Sequence, residues 1–168
     1  MRPLATPLLR IDTAVHVRRL GPGDRRAVLD VFRGLSDRSR RRRFHGPKPR
    51  LRKAELEQLV DVGCCGREAV AAIDIATGRT VGIARFVRDV DGPEAEIAFE
   101  VVDAWQGRGV ARALVAELTG LARREGIERF RATVAAGNDA ALALVRGAGT
   151  VVASSFEGGA HELVVALR

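Results

Sequence analysis

The chain of 168 residues has no tyrosine, one tryptophan, one methionine, and two cysteines that are adjacent, Cys64 and Cys65. The missing tyrosine removes the phenol as a proton donor from any mechanism. Neighbouring cysteines do not readily take ordinary disulfide geometry and cannot build a disulfide framework, so the simplest setting is a reducing cytosol and the expected location is cytoplasmic. Residues 1–13, with two prolines, read as a loose leader without the continuous apolar core of a signal peptide. No apolar run elsewhere is long enough to span a bilayer, so no membrane role is expected. His16, His45 and His161 stand singly without metal-ligand spacing, and no metal is expected. Neither a dinucleotide fingerprint nor a P-loop occurs, which leaves NAD and ATP sites without motif support.

Charge and apolar content are what the chain does have. Residues of the hydrophobic class make up 46%, enough for one packed core in one domain. Basic residues number 28 against 21 acidic, for a formal charge of +7, with Lys48 and Lys53 the only lysines. Such a balance favours anionic partners: coenzyme phosphates, nucleic acid or acidic protein surfaces. The densest basic run, Leu35-Ser-Asp-Arg-Ser-Arg-Arg-Arg-Arg-Phe44, has Phe44 alone as a stacking aromatic and belongs to no nucleic-acid module, so nucleic acid is not the expected partner.

Periodicity gives the element order. Ala14–Leu20 alternates as a strand. Gly21-Pro-Gly-Asp24 opens a helix with Ala27, Val28, Val31, Phe32 and Leu35 at helical spacing, and Ser36 or Ser39 can cap a second helix running to Phe44. A third helix is expected over Lys53–Val62. Strands follow over Glu68–Ile75, Thr80–Asp89 and Glu94–Val102, joined by hairpin-type turns. Gly109–Glu125 is the clearest helix, with Gly126 as its stop. A strand over Arg129–Ala135, a helix over Asn138–Gly147 and a closing hairpin, Thr150–Phe156 with Glu162–Leu167, complete an α/β (α+β) domain over residues 14–168.

The most informative segment runs from Ala95 to Leu114. In Gln106-Gly107-Arg108-Gly109-Val110-Ala111 two glycines let the backbone approach a ligand, and the helix that follows points its free N–H groups and positive dipole end at the same spot. Such a turn is suited to an anion. The pattern Gln-x-x-Gly-x-Ala after a strand resembles the pyrophosphate loop of the GCN5-related N-acetyltransferases (GNATs), which binds acetyl-CoA, and the element order matches that fold over most of the chain. The resemblance implies a mixed sheet of about seven strands flanked by helices. It implies acetyl-CoA as co-substrate at Gln106, Gly107, Arg108, Gly109, Val110 and Ala111. Backbone groups near Val101 and Val102 would pair with the pantetheine arm where the strands splay, and Asn138, also a good N-cap, would touch that arm.

Amine acetylation needs a base, a held thioester and donors for an oxyanion. Glu96, Ala98 and Glu100 alternate on one face of the strand before the turn. Glu96, in Ala-Glu-Ile-Ala-Phe, resembles the general-base glutamate of the histone acetyltransferase branch. Glu100 is the second candidate, expected to orient the amine. The plain alternative is two solvated charges on a half-exposed strand. Many family members carry a tyrosine after the leucine of the next helix; Val145 stands there in this chain, which excludes the phenol route. Leu35, Ser36, Ser39, Arg43 and Phe44 match the Leu-Ser-x-x-Ser-x-x-x-Arg-Phe signature of the protein-lysine acetyltransferases related to regulators of acyl-CoA synthetases, and imply a protein lysine as acceptor. A small amine or antibiotic, and a non-catalytic acyl-CoA-binding role, are the alternatives. The oligomeric state is open, a dimer included.

Overall fold

Strands with almost unbroken apolar burial must be covered on both faces, and two segments have that pattern. In the computed structural model, which describes residues 14–90 and 92–168, these are β2 (Arg67–Asp74) and β3 (Thr80–Arg88), at the centre of one half of the sheet. Ala69, Ala71 and Ile83 point to one face and pack under α1 (Arg25–Gly34) with Val28, Val31 and Leu35. Val70, Ala72, Ala84 and Phe86 point to the other, under α4 (Val110–Arg124) with Leu114, Leu118 and Leu121. The expected leader, 1–13, lies outside the described residues.

The sheet has seven strands. With β1 (Val15–Arg19), β4 (Glu94–Val101), β5 (Arg129–Ala135), β6 (Gly149–Glu157) and β7 (Ala160–Leu167), the order is β1-β2-β3-β4-β5-β7-β6. Every neighbouring pair is antiparallel except β4–β5, which is parallel and short: Glu94, Ala95 and Glu96 pair with Arg129, Phe130 and Arg131, and there the ladder stops. β5 buries alternate residues on the face that α5 (Asp139–Gly147) packs against, whereas α1 and α2 (Asp37–Phe44) pack chiefly on β3 and β4. β6 is exposed along its length past Gly149.

Local chemistry sets the ends of the helices. Asp24 caps α1 by accepting from the Ala27 amide at 3.3 Å, and Ser36 caps α2 by accepting from the Ser39 amide at 3.2 Å. The third helix, α3, spans Lys53–Leu59, shorter than the expected Lys53–Val62. The physical reason is a long-range cap: Arg85 on β3 donates to the Leu59 carbonyl at 2.7 Å, and the chain beyond it leaves the helix to bury Val60 and Val62. A single 3₁₀ turn, Asp103–Trp105, joins β4 to the glycine turn.

Candidate active site

The turn after β4 has the conformation its glycines allow. Gly107 and Gly109 sit at φ 74° and 81°, and Gly109 is the N-cap of α4. No side chain caps this helix and its first turn holds no acid, so its leading N–H groups and dipole face outward unopposed. Gln106 ties the turn to the strand end by donating to the Val101 carbonyl at 3.0 Å. Arg108 leans back over the Trp105 ring, 4.8 Å from its centroid, and does not line the cavity in front of the turn.

That cavity, about 990 Å³, follows the split where β4 and β5 part. Backbone parity determines what it meets. The Val102 amide donates to Val81 and the Glu94 carbonyl accepts from Asp89, so even-numbered residues of β4 bond to β3. Past the last rung, Phe99 and Val101 therefore turn their N–H and C=O groups toward the gap, and Ile97, whose N–H side completes the Glu96–Arg131 rung, turns only its carbonyl there. Val102, expected beside the pantetheine arm, is not among the cavity-lining residues, because its amide is already bonded to β3. Gln106, Gly107, Gly109, Val110, Ala111 and Asn138 all line the cavity. Asn138 also caps α5, accepting from the Ala141 amide at 3.4 Å. Val145 is fully buried in the core, and its neighbour Leu144 reaches the cavity instead.

Glu96 and Glu100 share a face, as strand alternation requires, but their surroundings differ. Glu96 is exposed at the last paired position of β4 and has no hydrogen-bond or ion-pair partner among the described residues. Glu100 is buried between two arginines. Arg43 Nε lies 2.5 Å from Oε2, and Arg85 Nη2 lies 3.8 Å from Oε1. Burial pulls the Arg85 guanidinium down to about 10, opposed by the attraction of Glu100 and assisted by the repulsion of Arg43. Glu100 lines the same cavity as Glu96, with its carboxylate held in an ion cluster by Arg43 and Arg85.

The arginine run of α2, one block in sequence, separates in space. Arg40 packs over Phe32 at 4.2 Å from the ring centroid and donates to the Phe32 and Pro49 carbonyls. Arg42 and Arg43 line the cavity, and Arg42 reaches the Gly137 carbonyl across the split at 3.2 Å. Arg38 and Arg41 stay exposed. Sequence reasoning did not single out Arg85; its one signal is a lone charge inside a strand buried on both faces.

The sequence profile of the acetyltransferase (GNAT) family matches residues 35–149. The chain belongs to this family. Among similar proteins, Acetyltransferase Pat of Mycolicibacterium smegmatis is 33% identical over 124 residues, which cover 73% of this chain and 37% of that one, so the chain spans well under half of that relative. Acetyltransferase PA5475 of Pseudomonas aeruginosa is 30% identical over 128 residues, covering 75% and 69%. The crystal structure of the GNAT domain of S. lividans PAT superposes with a TM-score of 0.81 at 33% identity, covering 91% and 90%. The seven-stranded GNAT fold expected from the glycine turn and element order is therefore the fold of this protein.

Proposed function

We propose that this GNAT domain transfers the acetyl group of acetyl-CoA directly to the side-chain amine of a protein lysine. The carrying observation is the placement of Glu96: an exposed carboxylate without a partner, lining the cavity where the strands part, on the strand that leads to an uncapped helix N-terminus. In this reading the pyrophosphate rests on the N–H groups of Gly107 to Ala111, and the pantetheine arm lies along Ile97, Phe99 and Val101. A strand N–H in the gap polarises the thioester carbonyl. Glu96 takes a proton from the ammonium, directly or through one water, and the freed nitrogen attacks the carbonyl carbon. As the C–N bond forms and the C–S bond breaks, the nitrogen sheds its second proton to solvent and the departing thiolate takes one up from solvent, since the chain holds no tyrosine. The lysine assignment is supported by the matching residues Leu35, Ser39 and Arg43, all of which line the cavity.

Labelled acetyl-CoA incubated with the protein and a lysate, followed by mass spectrometry of lysines and small amines, tests this. Label on neither removes the transfer reading. Label on small amines alone removes the lysine.

A further inference from the structure

The two walls of the acceptor mouth carry opposite charge. On the strand wall, among the described residues, Glu96 has no counter-ion and Glu162, beside Thr133 in register, accepts only from the Thr133 hydroxyl at 2.9 Å. Other charges on that face are paired, Arg131 with Asp89 and Arg129 with Glu94, each at 2.7 Å. The α2 wall is cationic. Arg43 donates to Glu100 through Nε and lies over the Phe44 ring, 4.9 Å from its centroid, and its two terminal amino groups make no hydrogen bond among the described residues. Among the described residues Arg42 donates only to a neutral carbonyl, and Arg38, exposed one turn earlier on the same ridge, forms no ion pair. Glu100 cannot neutralise this wall, because Arg85 stands behind it as a second cation. His45, also at the cavity, adds no negative charge.

A bare ammonium entering this mouth meets Glu96 on one side and unbalanced guanidinium groups on the other. We infer that the acceptor lysine is presented beside acidic residues, the ammonium going to Glu96 and the neighbouring carboxylates to Arg42, Arg43 and Arg38. The inference rests on the lysine reading above and specifies its substrate. Spacing supports a polypeptide. Glu96 and Glu100 are four residues apart on a strand, about 13 Å at ~3.3 Å per residue, and Arg43 sits at Glu100. An α-amino acid carries amine and carboxylate on one carbon and cannot bridge such a gap. A lysine stem holds its nitrogen on the order of 6 Å from its own backbone, so a flanking Asp or Glu reaches the opposite wall. Room exists beside the strand wall, since Glu162 is exposed and β6 is exposed along its length past Gly149.

The test uses otherwise identical peptides with a single lysine flanked by Glu, Gln or Arg, at saturating acetyl-CoA. The Glu-flanked peptide should exceed the Gln-flanked one in kcat/KM by about fivefold, the Arg-flanked one should fall below both, and the spread should shrink as salt rises. Arg38→Glu with Arg42→Glu should reverse the order, with calorimetric binding of acetyl-CoA confirming a folded protein; Arg38→Glu alone should narrow the ratio. Equal turnover of the three peptides, or an order unchanged by charge reversal, overturns the inference while the lysine reading stands. Turnover of a free diamine but of no peptide removes the lysine reading and the inference together. Inhibition by a DNA duplex binding more tightly than the Glu-flanked peptide would assign the α2 charge to nucleic acid and overturn the inference as well.

Discussion

Replacing Glu100 with glutamine separates a structural ion cluster from an acceptor ligand. The substitution keeps shape and removes one negative charge from between Arg43 and Arg85, whose side chains are 16% and 8% exposed. At an effective dielectric near 20, the 3.8 Å contact with Arg85 alone is a gross attraction of about 4 kcal/mol. Removing one member of a buried pair leaves the other uncompensated and costs about 3–5 kcal/mol net. For a domain of this length that lowers Tm by about 10 °C. The sign with pH follows from Arg85. Its folded pKa, about 10, lies below the value in the unfolded chain, so the cost of its buried charge is present in full at neutral pH and is relieved only from about pH 10 upward, as pH climbs toward the unfolded value. The deficit of Glu100→Gln should therefore shrink in strong alkali, and adding Arg85→Met should recover part of it at neutral pH. Thermal unfolding followed by circular dichroism, alongside acceptor KM, decides the matter. A variant melting within about 2 °C of the parent, with a raised acceptor KM, would make Glu100 an amine ligand and refute this reasoning.

Glu96→Gln, at an exposed position without partners, should change stability by less than about 0.5 kcal/mol yet lower kcat by roughly 10²–10⁴ with acetyl-CoA affinity unchanged, read by steady-state kinetics and calorimetry. Gly109→Glu should weaken acetyl-CoA binding by about tenfold or more, because it sets a carboxylate at the helix N-terminus and a side chain at φ 81°; equal affinity would move the pyrophosphate elsewhere. Arg40→Gln should lower Tm through loss of its stacking on Phe32 and two carbonyl contacts, whereas Arg41→Gln should not. Asp103 is held below its usual pKa although burial pushes it up, because Ser36 and Ser39 donate to it; its tether to the α2 cap is thus present above the unfolded-state pKa and lost as pH falls through the folded one, and Asp103→Asn should abolish that acid transition in CD titration.

Where structure follows from neighbours in sequence, the chain was readable. Gly107, Gly109 and the stripe of α4 define a turn and a helix within a few residues, and Ser36 and Asn138 cap the helices they precede. Glu96 and Glu100 were correctly set on one face, since alternation depends on the strand alone. What packs on that face was not readable: Arg43 and Arg85 arrive from α2 and β3 and convert one of two similar carboxylates into an internal counter-ion. The early end of α3 has the same origin, since its last carbonyl is capped by a distant arginine. Val102 was lost to a subtler cause, the parity of its amide, which depends on the register of β4 against β3. The basic run of α2 looked uniform because composition does not record that Arg40 has an aromatic ring beneath it and Arg42 a carbonyl across a gap.

The brevity of the β4–β5 pairing bears on how the molecule would respond to heat and to isotope exchange. Three register positions and the helices packed behind them join a four-stranded half to a three-stranded one, and the amides of Phe99 and Val101 lie past the last rung. An extended ligand in that gap would serve as an eighth strand, closing the border by hydrogen bonds the chain itself cannot supply. Deuterium uptake at those two amides would then slow on binding, and the melting point would climb with ligand concentration, even in a variant that has lost its catalytic base.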